Sequence, residues 1–536
     1  MFKKIFNNES KTITGAAIII AGATLVSRII GLIRDRIFAH YFGAGNVMDA
    51  YYTAFKIPDL VYSLLILGAL SAGFIPVFTK IFYHNKSQAW KLANNIVNIA
   101  GVALVIVCTL GIIFANKLAP LIAPGFDKES LLLVIKFSRI MFLSPLLLGI
   151  SMIMGGVLQS LRQFLTYSIA PIFYNLGIIF GTVVLTKYFD EMGLALGVVL
   201  GALIHLIIQT TGAYFSGYRW RPVFDLHDKN TILIGLLMIP RTLGLAVSQI
   251  NIVILTILAT LLPIGSVSVY NYANNLQGVA VGIIGIPFAL AIFPVLSKAS
   301  AKKDYKTFIN TVAQTTKKIL FLIFPATVII LFLRAQIVRV ILGSGEFGWS
   351  ATVNTADTLA FFALSLFAQS LIPLFARAFY SLEDTKTPFV IALISELVTI
   401  IFAMIFMRQL GVSGLALAVS IGAILNITLL VATLKETLGS LNLENIFSSF
   451  YKIAIASIVM AVVVQLSKYP LAKIFNQQYF WGILGQGLIA GLLGIATYAL
   501  ICYLLKLEEF NDFVHSFNKN ILKIKNIKTT ESIDIK

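Results

Sequence analysis

Apolar runs long enough to cross a bilayer recur from one end of this 536-residue chain to the other. About 20 residues of helix span a hydrocarbon core roughly 30 Å thick, and in lipid only helices or closed barrels satisfy every backbone polar group. The runs fall at about 12–42, 48–82, 93–114, 131–160, 164–188, 193–215, 232–262, 266–296, 308–333, 355–381, 388–407, 414–434, 451–466 and 479–505. They are too long and too uniformly apolar for strands. The expected fold class is therefore an all-α polytopic membrane protein of about 14 transmembrane helices.

Charge distribution supplies the orientation. Only 12% of residues are charged, yet the formal net charge is +18, and the basic residues gather in short connections between runs. Lys80, Lys86, Lys91, Arg162, Arg219, Arg221, Lys229, Lys298, Lys302, Lys303, Lys306, Lys435, Lys452 and the tail lysines fall on one side. The opposite connections are poorer in Lys and Arg. Under the positive-inside rule both termini are expected in the cytoplasm, with an even number of spans. No basic stripe interleaved with exposed aromatics is present, so nucleic acid is not an expected partner. The early Lys3, Lys4 and Lys11 precede an apolar stretch with no convincing cleavage site, which reads as a first span. Cys108 and Cys502 lie inside apolar runs, as core thiols do.

The halves repeat at an offset of about 221 residues: LVSRIIG around Ser27 matches AVSQINI around Ser248, and GLALGVVLGALIHL from Gly193 matches GLALAVSIGAILNI from Gly414. Six spans per repeat make the halves parallel repeats, with substrate expected between them. The expected organisation is an N-terminal six-helix lobe (1–220), a C-terminal six-helix lobe (221–440), an additional helix pair (441–506) and a basic cytoplasmic tail (507–536). The repeat is unequal in charge. Where the first half has Arg28, the second has Gln249.

The densest charge inside apolar sequence is SRIIGLIRDRIFAHYFGAGNVMDAYYTAFKIPD, residues 27–59. Charge at bilayer depth is costly and is normally paired, turned inward and used. At helical spacing Asp49, Tyr52, Lys56, Asp59 and Ser63 share one face of a single helix, and Arg28 and Asp35 share another. Two spans would then line a mainly cationic cavity. Structural roles stay open residue by residue: Arg34 to Arg36 beyond the bilayer at a helix end, Asp49 with Lys56 as an ion pair. Arginine suits a phosphate because its planar fork binds two oxygens and keeps its charge. Arg28, Arg34, Lys56 and Arg241 thus match an anionic substrate, and Glu396 is expected either to pair with Arg241 or to hold a coupling cation.

Enzyme chemistry has no foothold. There is no HExxH, P-loop or nucleophile elbow, and the histidines are scattered, so no enzyme activity and no metal site is expected. Without a nucleotide-binding motif, transport draws on the membrane potential, a monovalent ion or the substrate gradient.

The residues SRIIGLIRDRIFAHYFGAG from Ser27, DAYYTAFKIPDL from Asp49, GFIPVFTK from Gly73, SVSVYNYANNL from Ser266 and RAFYSLEDTKTP from Arg377 resemble the MurJ/MviN lipid II flippases of the MOP exporter superfamily. That resemblance implies two six-helix lobes set as a V, and a last helix pair forming a groove for a lipid tail. It implies movement of an undecaprenyl-diphosphate-linked peptidoglycan precursor from the cytoplasmic to the periplasmic leaflet by alternating access. The expected location is the bacterial inner membrane, with membrane lipids and cell-wall synthases as partners and no tightly bound cofactor. Ser27, Arg28, Arg34, Asp35, Asp49 and Ser268 match the family's functional positions, with Arg28 and Arg34 gripping the diphosphate. The chain departs from the family pattern at Tyr62, Ser63 and Leu67 and at Asn274 and Asn275, where charged residues are usual. Those departures keep open a different polyprenyl-diphosphate glycan as cargo. A MATE-type antiporter shares the architecture but is expected to have a more acidic or aromatic cavity, and a membrane scaffold needs no polar cavity at all.

Overall fold

In the computed structural model, which describes the backbone of residues 13–67 and 73–515 and leaves the side chains of 13–18, 67, 240, 241 and 243 undescribed, the chain is helical throughout, with no strand among the described residues. Gly68 lies outside the described residues, as do the lysines at both extreme ends.

Among the described residues, ten helices are long and apolar enough to cross a membrane, and twelve if each of two bent pairs is one span. One pair, Lys229–Ile239 and Gly244–Thr260, bends by 51° around Pro240; the other, Trp349–Ala363 and Leu366–Ser381, bends by 45°. The expected first two spans are not among the twelve. The first corresponds to the helix Ile13–Phe42, whose opening side chains are undescribed. The second is broken, and here the structure corrects the single-helix reading of Asp49 to Ser63. Asn46–Ala54 ends at Phe55, Lys56–Tyr62 restarts at once, and Ser63–Leu67 widens into a π-helical turn. Pro58 explains the restart, because it has no N–H to donate and settles in the first turn of a new helix.

By contacts the chain forms two compact units. One comprises Met1–Asn275, Ile341–Thr358 and Glu396–Ala418; the other comprises Leu276–Val340, Leu359–Ser395 and Val419–Lys536. Inside the first unit the helices Phe164–Phe180 and Met192–Phe215 approach through glycine: Gly177 faces Gly201, and Gly181 faces Gly197, so that a Cβ on any of them would meet backbone. Small residues let helix backbones approach closely in a membrane, where dispersion and packing replace the hydrophobic drive. A buried cluster of Phe74, Phe78, Trp90, Met154 and Tyr218 closes one end of this unit.

The second unit has its own core around Phe308, Ile319, Phe375, Phe379, Ile453 and Met460. Its last described residues fold back: Lys317 reaches the buried Glu509 at 3.2 Å, and Ser449 donates to the same carboxylate at 2.9 Å.

Candidate functional site

A cavity of about 740 Å³ opens in the first unit, a size that takes a drug-sized portion of a ligand. The Ile13–Phe42 helix contributes Ser27, Arg28 and Arg34 to its wall, and the broken second span contributes Tyr51, Tyr52, Lys56, Asp59 and Tyr62. Tyr167, Ser168 and Tyr174 come from Phe164–Phe180, and Thr24, Ser144, His205, Asn271 and Asn275 add to the polar lining.

Arg34 is held rigidly. Its Nε and Nη2 donate to Asp35 Oδ1 at 3.1 and 2.8 Å, its Nη1 donates to Asn175 Oδ1 at 3.0 Å, and the guanidinium lies 5.6 Å from the Phe38 ring centre. Asp35 is only 2% exposed, and its second oxygen accepts from Asn275 Nδ2 at 2.8 Å. Two amides thus flank an Arg–Asp pair, each satisfying a valence that burial would otherwise leave empty. Asp35 sits behind the arginine and not on the cavity wall. Lys56 donates to Asn271 Oδ1 at 3.1 Å, and Asn271 is fixed in turn by donating to Val267 O at 2.7 Å. Of the wall's formal charges, Arg28, Arg34 and Lys56 outnumber Asp59.

Asp49 and Ser268 do something different from lining the cavity. One Asp49 oxygen accepts from the Ser268 N–H and hydroxyl, both at 2.8 Å, and the other from Gly265 N–H at 2.6 Å. A carboxylate from the second span therefore caps the N-terminus of Ser266–Ala301, where unpaired N–H groups and the helix dipole favour negative charge. Asp49 and Lys56 have separate partners, so their reading as an ion pair is replaced by a cap and an amide contact. Glu396 is half-buried on Lys386–Leu410, and the side chain of Arg241, its expected partner, lies outside the described residues.

Other residues of the site were not singled out by charge. Asn175 is 9% exposed and is the lone amide of the helix Phe164–Phe180, which is the signal that could have found it. The Tyr52 hydroxyl and the Ser168 hydroxyl are buried without a hydrogen-bond partner among the described residues. An unmade bond at such a group costs on the order of 1–3 kcal/mol, which a bound polar ligand can return. His205 bonds Ser151 at 2.7 Å, which agrees with a satisfied polar residue on the cavity wall. The whole arrangement offers fixed cations and uncharged hydroxyl and amide groups to an anion with a polar, uncharged body.

A family model described as "Lipid II flippase MurJ" matches residues 38–485. A probable lipid II flippase MurJ from Vibrio cholerae is 30% identical over 525 residues, covering 92% of this chain and 97% of that protein. The lipid II flippase MurJ of Burkholderia cenocepacia is 27% identical, covering 78% of this chain and 83% of its own length. Among solved structures, a lipid II flippase MurJ in an inward closed conformation superposes with a TM-score of 0.77 at 24% identity, covering 93% of this chain and all of that one. An inward-facing MATE multidrug transporter of the MOP superfamily gives a TM-score of 0.67 at 15% identity over 80% of this chain. At those identities the two structural matches speak for the fold.

Proposed function

The chain belongs to the lipid II flippase MurJ family, and from that membership we infer that it translocates lipid II across the membrane, as a transporter and not as an enzyme. The observation that carries this reading is the cavity wall with Arg28, Arg34 and Lys56 on it, inside a protein built of membrane-spanning helices. A diphosphate needs several fixed donors at once. Arg34 keeps the geometry of its fork because Asp35 and Asn175 hold it, Asp35 being held in turn by Asn275, while Arg28 and Lys56 add cations on the same wall. Ser27 lies one residue from Arg28 on the cavity side.

In this mechanism the phosphates enter as counter-ions to the wall, and the sugar and peptide take the hydroxyl and amide positions. Asp49 locks the N-terminus of Ser266–Ala301 against the second span, a contact that breaks and re-forms as access alternates. Transport runs from the cytoplasmic to the outer leaflet of the bacterial inner membrane, with both termini cytoplasmic, driven by the membrane potential or a monovalent ion. Cell-wall synthases are the partners that this product would feed.

The test is complementation of a strain depleted of its own lipid II flippase, reading accumulation of lipid II in the inner leaflet. Rescue by the wild-type chain, and none by Arg28→Ala or Arg34→Ala at equal expression, is expected. A second reading has one specific support: Tyr62 and Asn275 present uncharged groups on the wall. It makes the cargo another polyprenyl-diphosphate glycan, and failure of the well-expressed wild-type chain to rescue would favour it.

A further inference from the structure

We propose that the segment joining the sixth and seventh spans, Gly217 to Asp228, is a membrane-interface anchor that selects anionic lipid head groups and is held in place by an asparagine ladder. Three asparagines of the Lys86–Ile122 helix bind its backbone. Asn94 donates to Arg219 O at 3.0 Å and accepts from Arg221 N–H at 2.8 Å. Asn95 donates to Asp225 O at 2.7 Å and accepts from Asp225 N–H at 2.6 Å. Asn98 donates to Arg221 O and Val223 O at 2.9 and 2.8 Å and accepts from the Trp220 indole at 3.0 Å. A primary amide has a donor and an acceptor, so it can stand in for the neighbouring strand of a ladder.

Holding the backbone in this way fixes which side chains face out: Trp220, Pro222, Phe224 and Leu226 are exposed beside the exposed Arg219 and Arg221, while Val223 and Asp225 are half-buried. Trp220, Phe224 and Leu226 are 65%, 54% and 55% exposed. Large apolar side chains presented together in this way need a non-aqueous neighbour.

The position of the ladder says that the neighbour is the bilayer. Immediately after Asn98 the helix runs apolar from residue 99 to 115, about 25 Å at 1.5 Å per residue, which approaches the hydrocarbon thickness. Val102, Val105, Ile106 and Leu110 are exposed along that run, on the face that continues from Asn98. Asn98 therefore stands at the edge of the lipid-facing surface, and Trp220, bonded to it, stands at the level where tryptophan is enriched.

Charge settles which head groups. Lys91, Arg219, Arg221 and Lys229 lie in or beside the segment, against Asp225 and Asp228. Both carboxylates are occupied with backbone N–H groups, Asp225 with His227 and Asp228 with Thr231. Arg219 stacks on Tyr214 at 3.7 Å, whereas Arg221 and Lys229 are exposed. Basic residues at this depth attract anionic lipid.

The experiment places bimane on Phe224→Cys in the full chain, since the native Cys108 and Cys502 are buried, with Lys302→Cys as a solvent-facing control. The protein is reconstituted in nanodiscs of phosphatidylcholine and phosphatidylglycerol. Lipids brominated near the head group are expected to quench the probe at 224 and not at 302, with iodide doing the reverse. Brominated phosphatidylglycerol is expected to quench about twofold more than brominated phosphatidylcholine at equal mole fraction, and Arg221→Gln with Lys229→Gln to erase the difference. Asn98→Ala, in protein that still elutes as a folded monodisperse species, is expected to shift the probe at 224 towards iodide. Quenching by iodide alone in the unaltered segment overturns the anchor and leaves a face for a soluble partner. Equal quenching by both lipids overturns the head-group preference, and an unmoved Asn98→Ala overturns the ladder.

Discussion

Asp35 and Asp49, both acidic and both nearly sealed from solvent, have unlike duties that their sequence context does not separate. Asp35 shares Arg34 with Asn175, so removing one member leaves a buried charge uncompensated. Asp35→Asn is therefore expected to cost on the order of 3 kcal/mol of stability and to lower transport. Arg34→Gln together with Asp35→Asn is expected to recover most of the stability and none of the transport. Melting in detergent and the complementation readout separate the two effects. Recovery of transport in the double variant would remove Arg34 from the binding wall. Asp49→Asn, by contrast, keeps one acceptor for the Ser266–Ala301 cap, so a smaller loss is expected than for Asp49→Ala, which orphans the Gly265 and Ser268 N–H groups and leaves the Ser268 hydroxyl with Gly265 O alone. The arginines were legible because charge inside apolar sequence announces itself. The cap was not, since its partners lie more than 200 residues away and nothing local marks them.

Helices in this chain are easier to foresee than the ways they break and meet. Periodicity extends Asp49 to Ser63 as one helix, and the Phe55 restart with the π-turn at Ser63 breaks it without any change in hydropathy. Glycine contacts are similarly silent in sequence, because a glycine that permits close approach looks like one that does not. At the crossing of Phe164–Phe180 with Met192–Phe215, Gly201→Val is expected to destabilise by about 1–3 kcal/mol or more, since its side chain would strike the Tyr174 carbonyl. Gly235→Val, with open space around it, is the control, and equal melting points for the two would contradict the packing. Helix ends at the surface carry a local signal. Asp304 caps Tyr305–Phe332 by accepting from the Thr307 N–H at 3.0 Å, and hydrogen bonds from the Thr307 hydroxyl and N–H hold its carboxyl below the ordinary range. The folded value is depressed, so the stabilisation is complete above the unfolded value of about 3.9 and is lost as pH falls through the folded one. The melting-point gap between the wild-type chain and Asp304→Ala is thus expected to be full at pH 6 and to close in strong acid; a gap that widens with acid would show that the cap acts otherwise.

Across the whole molecule, hydropathy made the fold class legible, because lipid forces every span to declare itself in composition. Orientation rests on a weaker signal, a bias of Lys and Arg between alternate connections, and it makes a claim about every span at once. Lys302, in the exposed turn after Ser266–Ala301, belongs to the basic side; Gln478, exposed between Leu443–Ile474 and Phe480–Leu504, belongs to the other. With Cys108 and Cys502 buried, single cysteines at 302 and 478 can be read cleanly by a membrane-impermeant maleimide on spheroplasts. Labelling at 478 without permeabilisation, and at 302 only after it, is expected. The reverse pattern would turn the molecule over and put its basic loops outside. Labelling of both from one side would mean an even number of crossings between them where five are expected, making the total odd, and so would sink the even count on which two cytoplasmic termini depend.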